Sequence, residues 1–154
     1  MIGTSYPSAN GMISPDGRWI AYEAREGERY EIYVRPFPNV NDRRFQISQG
    51  GGQWPAWSRS GKELFYVGGT PGQPERPMTV VPVKASSGTT FDWGASVRLF
   101  NALPFMRGGP RGYDVSLDGS RFLVIADPSA PSAAARVVMR FVTNWQEELK
   151  ARVR

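Results

Sequence analysis

Four carboxylates lie close together between residues 23 and 31: Glu23, Glu26, Glu28 and Glu31. A pair of carboxylates at the right separation can hydrolyse a glycosidic bond, one as acid and one as nucleophile or base. These four flank a turn between two apolar runs and alternate with Arg25 and Arg29. That setting predicts a solvated, charged hairpin. Asp16 and Asp118 are oxygen ligands by type, but their spacing fits no Ca²⁺ loop. Each sits two residues after a serine and directly before a glycine, so a turn aspartate bonding its own backbone explains both. Gly50-Gly51-Gly52 lacks the Gly-Lys-Ser/Thr ending and the helix of a phosphate loop, and is predicted to link two repeats. Trp54, Trp57 and Trp93, with Arg59 nearby, are types that stack bases or sugars. Trp57 falls at a core strand position; Trp54 and Trp93 fall in predicted loops, and packing is expected of all three. The segment carrying Phe105, Met106, Arg107, Arg111 and Tyr113 mixes apolar anchors with arginine, as interaction hot spots do, and is the candidate interaction surface.

Composition removes whole classes of chemistry. The 154 residues contain no Cys and no His. Disulfides, thiolate metal sites, a Cys nucleophile, a Ser-His-Asp triad and a His general base are therefore excluded within this chain. No catalytic, metal-binding or cofactor-binding residue is assigned, and the chain is not expected to be an enzyme. The net charge is +5, but the positive residues are scattered. The densest spots, Arg43-Arg44 and the tail Lys150, Arg152 and Arg154, read as solvated surface, and no nucleic-acid partner is expected. The apolar runs at 122–126 and 137–142 fall far short of the ~20 residues of a membrane span, so no membrane insertion by this segment is expected. Residues 1–11 have neither the charged nor the apolar region of a signal peptide.

Positioning elements come from repetition. Three stretches align: Met12 to Tyr22, Ala56 to Tyr66 and Asp114 to Val124. Each holds an apolar residue, a Ser, two variable positions, a Gly and then an apolar run. Gly17 and Gly61 are 44 residues apart and Gly61 and Gly119 are 58 apart. About 40–45 residues is the period of a four-stranded propeller blade. In the first turn Pro15 presets φ and Asp16 favours the next position. Gly17 can then take the left-handed conformation that closes a bulged hairpin. Ser14, Asp16, Gly17, Gly61, Asp118 and Gly119 are accordingly read as structural turn residues. The strands that follow are apolar on both faces: Trp19 and Ala21 oppose Ile20 and Tyr22, and Leu64 and Tyr66 oppose Phe65 and Val67. A sheet packed between two others needs that pattern.

At these residues the chain resembles TolB-like, WD-repeat-like β-propellers, and more narrowly the propeller C-terminal to the kinase domain of many bacterial membrane-anchored serine/threonine kinases. The resemblance rests on Ser14 to Tyr22, on Tyr30-Glu31-Ile32-Tyr33-Val34-Arg35-Pro36-Phe37-Pro38, on Trp57 to Tyr66, on Tyr113 to Ser116, and on Asn144-Trp145 with Leu149. It covers most of the chain. Arg59-Ser60 replaces Pro-Asp in the second turn and Leu117 replaces Pro in the third, so those turns are expected to hold less rigidly. Propellers carry several blades, and this chain codes for about three. No kinase motif is present in the sequence.

The reading is an all-β chain, a partial β-propeller of about three four-stranded antiparallel blades, half of a six-bladed ring, with a short C-terminal helix. Residues 1–154 form one propeller segment, with blades at approximately 11–48, 54–100 and 112–143, a closing strand in 1–6 and the helix at 144–150. The resemblance implies a non-catalytic recognition or sensor scaffold beside a kinase. Its alternatives are the accessory propeller of a prolyl-oligopeptidase-like peptidase and a free-standing TolB-like envelope protein. The expected partner is a second copy closing the ring head-to-tail, or the blades of a longer chain, through an apolar face left bare at each end. The compartment is extracytoplasmic for the propeller of a membrane-anchored kinase and cytoplasmic for a chain complete as given.

Overall fold

The Ser-Pro-Asp-Gly stretch folds as its chemistry dictates. In the computed structural model, Gly17 N–H donates to the Ser14 carbonyl at 2.9 Å and Gly17 takes φ +71°. Ser14 Oγ donates to Asp16 Oδ1 at 2.6 Å and accepts from Trp19 N–H at 3.0 Å. The turn at Gly61 (φ +70°) has Ser58 and Ser60 hydroxyls 3.0 Å apart. In the turn at Gly119 (φ +71°), Ser116 Oγ donates to Asp118 Oδ1 at 2.5 Å. Asp118 also accepts from Ser120 N–H, and these bonds hold its carboxyl well below the usual carboxylate range. Each turn thus satisfies its own polar groups.

The structure describes residues 7–84, 90–102 and 111–125, and the backbone of 139–142. Among them the elements are all strands. The first sheet runs β1 (Ser8–Ile13), β2 (Trp19–Glu26), β3 (Arg29–Pro36), β4 (Phe45–Gln46). The second runs β5 (Gly52–Trp57), β6 (Glu63–Gly68), β7 (Pro77–Pro82), β8 (Val97–Asn101). The third holds β9 (Tyr113–Val115), β10 (Phe122–Ile125) and β11 (Met139–Val142). The first two sheets are four-stranded meanders in chain order, and the third has β10 between β9 and β11, all pairs antiparallel. The closing strand expected in 1–6 and the helix expected at 144–150 lie outside the described residues.

Stacking follows from the two-residue alternation of side chains. On one face of the second sheet Trp57, Leu64, Tyr66 and Val81 pack with Trp19, Ala21, Ile32 and Val34 of the first sheet and with Ile47 just after β4. On its other face Phe65, Val67, Met78 and Val80 pack with Tyr113, Phe122 and Val124 of the third. Neighbours in sequence, Leu64 and Phe65, therefore serve different interfaces, and both are fully buried. The Phe65 and Phe122 rings meet edge-on, 5.1 Å between centroids. Burying such a side chain stabilises by about 1.5–3 kcal/mol. Three sheets stacked face to face, the middle one covered on both sides, are successive blades of a partial propeller.

The two ends of the stack differ, which corrects the expectation of a bare apolar face at each. On the first sheet Tyr22, Ala24 and Tyr33 are buried. Arg35 Nε donates to the Tyr22 hydroxyl at 2.7 Å, and the Arg44 guanidinium lies 4.6 Å from the centre of the Tyr33 ring while pairing with Glu26. The tyrosines thus carry arginine on their outer side. On the third sheet Leu123 and Ile125, which alternate with buried Phe122 and Val124, are 39% and 65% exposed, and Leu117 is 73% exposed.

A methyl group added at Gly17 would meet nothing within 4 Å, so a substitution there is penalised by backbone conformation alone. Gly17→Val is expected to cost about 1 kcal/mol or more, because a β-branched residue resists positive φ. Asp16→Asn is expected to cost little, since Asn suits the same turn. Thermal melts of the two variants check this; a neutral Gly17→Val would refute the turn assignment.

Candidate functional site

The end of the stack opposite these turns is built on two backbone irregularities. Asn10 in β1 and Trp54 in β5 have φ of +53° and +56°, and the strand register shifts at both. They are 44 residues apart, the same spacing as Gly17 and Gly61. Glu23 joins the two irregularities. Its carboxylate, almost wholly buried, accepts from Asn10 Nδ2 at 2.9 Å and from Trp54 N–H at 2.6 Å. Glu31 is buried as well, accepting from the Ser48 hydroxyl and from the N–H groups of Gly50 at 3.1 Å and Gly51 at 2.9 Å.

Glu23 and Glu31 therefore do not belong to the solvated hairpin face that their spacing predicted. Both are anchors: Trp54, Gly50 and Gly51 of the chain entering the second sheet donate to them, and Asn10 and Ser48 complete the set. Register places Glu23 opposite Ile32 and Glu31 opposite Ala24, so the two leave the sheet on opposite sides. Glu26 pairs with Arg44, and Glu28 lies at the exposed hairpin tip. Gly50 and Gly51 do link two repeats. Gly51 has φ +108°, and a Cβ there would lie 2.6 Å from the Gly69 carbonyl oxygen, so only glycine allows this approach.

Trp54 stands in β5 rather than in a loop. Its ring is buried, with the Arg76 guanidinium 5.0 Å from its centre. Arg76 is itself buried; its Nη2 donates to Gln53 Oε1 at 2.9 Å, and its main-chain N–H donates to Asn101 Oδ1 at 3.0 Å. Burial lowers the Arg76 pKa, against an upward pull from Glu23. Trp57 packs as expected, its Nε1 donating to the Met12 carbonyl at 3.0 Å. Trp93 stacks on Phe91 at 5.7 Å.

Of the segment expected to form a contact surface, Phe105, Met106 and Arg107 lie outside the described residues. Tyr113 is buried, and its hydroxyl donates to the Trp54 carbonyl at 2.5 Å. Arg111 is half-buried, donates to the Pro55 carbonyl at 3.2 Å, contacts the Met12 sulfur and lies 5.8 Å from the Tyr113 ring centre. Both residues join the third sheet to β5, which is a packing role.

A cleft of about 570 Å³ opens at this end, between Arg25, Glu28, Arg29 and Tyr30 of the β2–β3 hairpin and Thr70, Pro71 and Gln73 of the β6–β7 connection. Sequence reasoning passed over it. The available signal was that both connections occupy the same place in consecutive repeats. The arrangement offers guanidinium, amide and hydroxyl donors on a fixed scaffold. Among the described residues no group of three or more Asp and Glu is placed to hold a metal ion, and no helix is long and apolar enough to cross a membrane.

No family model matches the chain, and neither does any curated protein. Among solved structures it is similar to the crystal structure of TolB from Acinetobacter baumannii, at 17% sequence identity and a TM-score of 0.40. That alignment covers 90% of this chain and 44% of TolB, so the chain spans less than half of that protein's length.

Three tyrosines give this architecture a pH signature. Burial raises the pKa of Tyr66 and, more strongly, of Tyr113. Burial first, and then a hydrogen bond to Glu26, pushes Tyr33 up to about 12. A raised tyrosine pKa stabilises the fold fully below the unfolded value of about 10. That contribution is lost as pH rises through the folded value. Titration by ultraviolet absorbance is expected to show Tyr33 ionising near pH 12, with stability to urea falling from about pH 10 upward. Six tyrosines titrating together near pH 10 in folded protein would contradict this packing.

Proposed function

We propose that the chain is a non-catalytic recognition scaffold, the propeller portion of a larger signalling assembly of the kind its repeats resemble in bacterial serine/threonine kinases. The observation that carries this reading is the use made of its buried carboxylates. Glu23 and Glu31 are buried, and each of their oxygens already accepts a hydrogen bond from the protein, the use of a structural anchor rather than of an acid–base pair facing a substrate. What the fold displays is connections of differing sequence on a rigid stack. The same scaffold would serve as the accessory propeller of a prolyl-oligopeptidase-like peptidase or as a TolB-like envelope protein. The coding sequence upstream separates these: a kinase domain, a hydrolase domain or a signal peptide selects one.

The exposed face of the third sheet takes the first sheet of a second copy. Successive sheets stack in one sense: a methyl at Gly61 would lie 3.7 Å from Pro15, and one at Gly119 would lie 3.5 Å from Glu63. The next sheet in that sense covers Leu123 and Ile125. A second copy supplies apolar groups at the matching level. Ile13 and Phe37, 48% and 37% exposed, lie toward the hairpin end of the first sheet, as Leu117 does on the third. Two copies so joined at both ends would close a ring of about six blades.

Two experiments test the reading. Assays on peptide, ester and ATP substrates are expected to show no turnover; robust turnover abolished by one point substitution in this chain would overturn the scaffold assignment. Sedimentation is expected to give twice the chain mass at micromolar concentration, and the chain mass alone for Leu123→Lys/Ile125→Lys with an unchanged circular dichroism spectrum. A wild-type monomer, or a dimer insensitive to the two lysines, would refute the second copy as occupant.

A further inference from the structure

We propose that the cleft between the β2–β3 hairpin and the β6–β7 connection binds an acidic peptide segment of a partner protein through Arg25 and Arg29. This deepens the recognition reading and does not depend on ring closure. The cleft is the open mouth of the interface between the first two sheets. Arg25 pairs in register with Tyr30, and both continue the face that carries Ala21, Ile32 and Val34 into the apolar core. Beyond Ile32 that core stops, and the position facing the second sheet becomes a guanidinium beside a half-buried ring.

The cations there are unspent. Arg25 uses its main-chain N–H on the Pro7 carbonyl, and its guanidinium has no partner among the described residues. Arg29 reaches only Glu31, at 4.0 Å, and the Glu31 oxygens already accept from Ser48, Gly50 and Gly51. By contrast Arg18 and Arg44 each donate a hydrogen bond to a carboxylate, of Asp16 and Glu26 respectively. The opposite wall is rigid. Gln73 N–H donates to the Thr70 carbonyl at 3.2 Å, and Thr70 N–H donates to Gln73 Oε1 at 2.9 Å. That turn leaves the Gln73 amide N–H groups as further donors beside the Pro71 ring.

Size and charge select a peptide over a bare anion. A volume of about 570 Å³ is in the range of sites for drug-sized ligands, many times that of one phosphate. Glu28 lies on the same rim and repels a compact polyanion. A peptide offers carboxylates to the two arginines, amide N–H groups to Glu28, and aliphatic stems to Tyr30 and Pro71. Guanidinium binds carboxylate with paired donors, which fixes orientation as well as charge.

A dye-labelled octapeptide of alternating glutamate and glycine, followed by fluorescence anisotropy at low salt, tests the site. Saturable binding is expected, weakened about tenfold in Arg25→Ala/Arg29→Ala, as for the loss of two exposed ion pairs. It is expected to be unchanged in Arg59→Ala, which removes an exposed cation from the hairpin end of the second sheet. Both arginines of the site are exposed, and circular dichroism will show the double variant folded. Three outcomes would overturn the assignment: no binding by the wild type, equal binding by the double variant, or an equal loss in Arg59→Ala. Displacement of the peptide by inorganic phosphate at matching concentration would do so too, by making the site one for a bare anion. Each of these leaves the scaffold reading standing, since that is tested separately by the turnover assays.

Discussion

Everything in this chain depends on the second sheet having two dry faces. Leu64 and Phe65 are adjacent in sequence, fully buried and committed to opposite neighbours, and Val80 and Val81 repeat the arrangement one strand away. A sheet with such strands cannot stand as a single layer on one core; water on either face would expose aromatic and branched aliphatic surface at about 25 cal/mol per Å². The sheet must be sandwiched. Once it is, the neighbours are drawn into the same requirement on their own far sides, and the stack propagates. The ends are then where the molecule has to find another solution. The first sheet uses tyrosines with arginine laid on them, which keeps a buried ring and a solvated charge in the same side-chain layer. The third sheet leaves Leu123 and Ile125 open.

Apolar faces alone would let sheets slide over one another, because the hydrophobic effect has no direction. The buried carboxylates supply direction. Glu23 takes the Trp54 N–H across the interface and the Asn10 amide within its own sheet, so the inner strands of two blades are fixed to one atom group. Glu31 does the same for the linker, through Ser48, Gly50 and Gly51. A buried carboxylate is costly unless its oxygens are satisfied, and then it is hard to displace, since breaking one partner strands the charge. The bulges at Asn10 and Trp54 fit this scheme: a strand with regular pleat would point the Trp54 N–H along the ladder rather than at Glu23.

What was legible in the sequence is what short-range chemistry decides. The turns at Gly17, Gly61 and Gly119 each complete their bonds within a few residues, so their residue types were enough. The two-faced strands were legible because alternation is local too. The glutamates were misread for the opposite reason. Glu23 and Trp54 are far apart along the chain, and nothing near Glu23 announces that a main-chain N–H will arrive from the next repeat. Its neighbours Arg25 and Glu26 are solvated or partly so, and suggested the same for it. Tyr113 was misjudged likewise: beside Arg111 it has the composition of a contact surface, yet its hydroxyl is spent on the Trp54 carbonyl. Trp54 fell in a predicted loop because the glycines before it end the preceding pattern. A left-handed tryptophan inside a strand is not something propensity can foresee.

The repeat also divides its two ends by chemistry. At the hairpin end every unit closes on itself: serine to aspartate or serine, glycine at the same φ and, in the first and third units, aspartate near the arginine that follows. Groups that satisfy one another have little left for a partner. They are nearly the same in each unit and so could not distinguish one partner from another. At the opposite end the connections share neither length nor composition. The first is a tight hairpin at Gly27, and the second is a longer loop through Thr70, Pro71 and Gln73 that leans on the Gly51 linker. Anchoring by Glu23 and Glu31 happens just beneath these connections, so the part of the molecule that varies stands on the part that is most firmly held. Specific contact requires variable groups on an invariant frame, because each group that must be ordered on binding subtracts from affinity. In this fold the frame and the variable groups meet at one end, the end at which we propose that a partner binds.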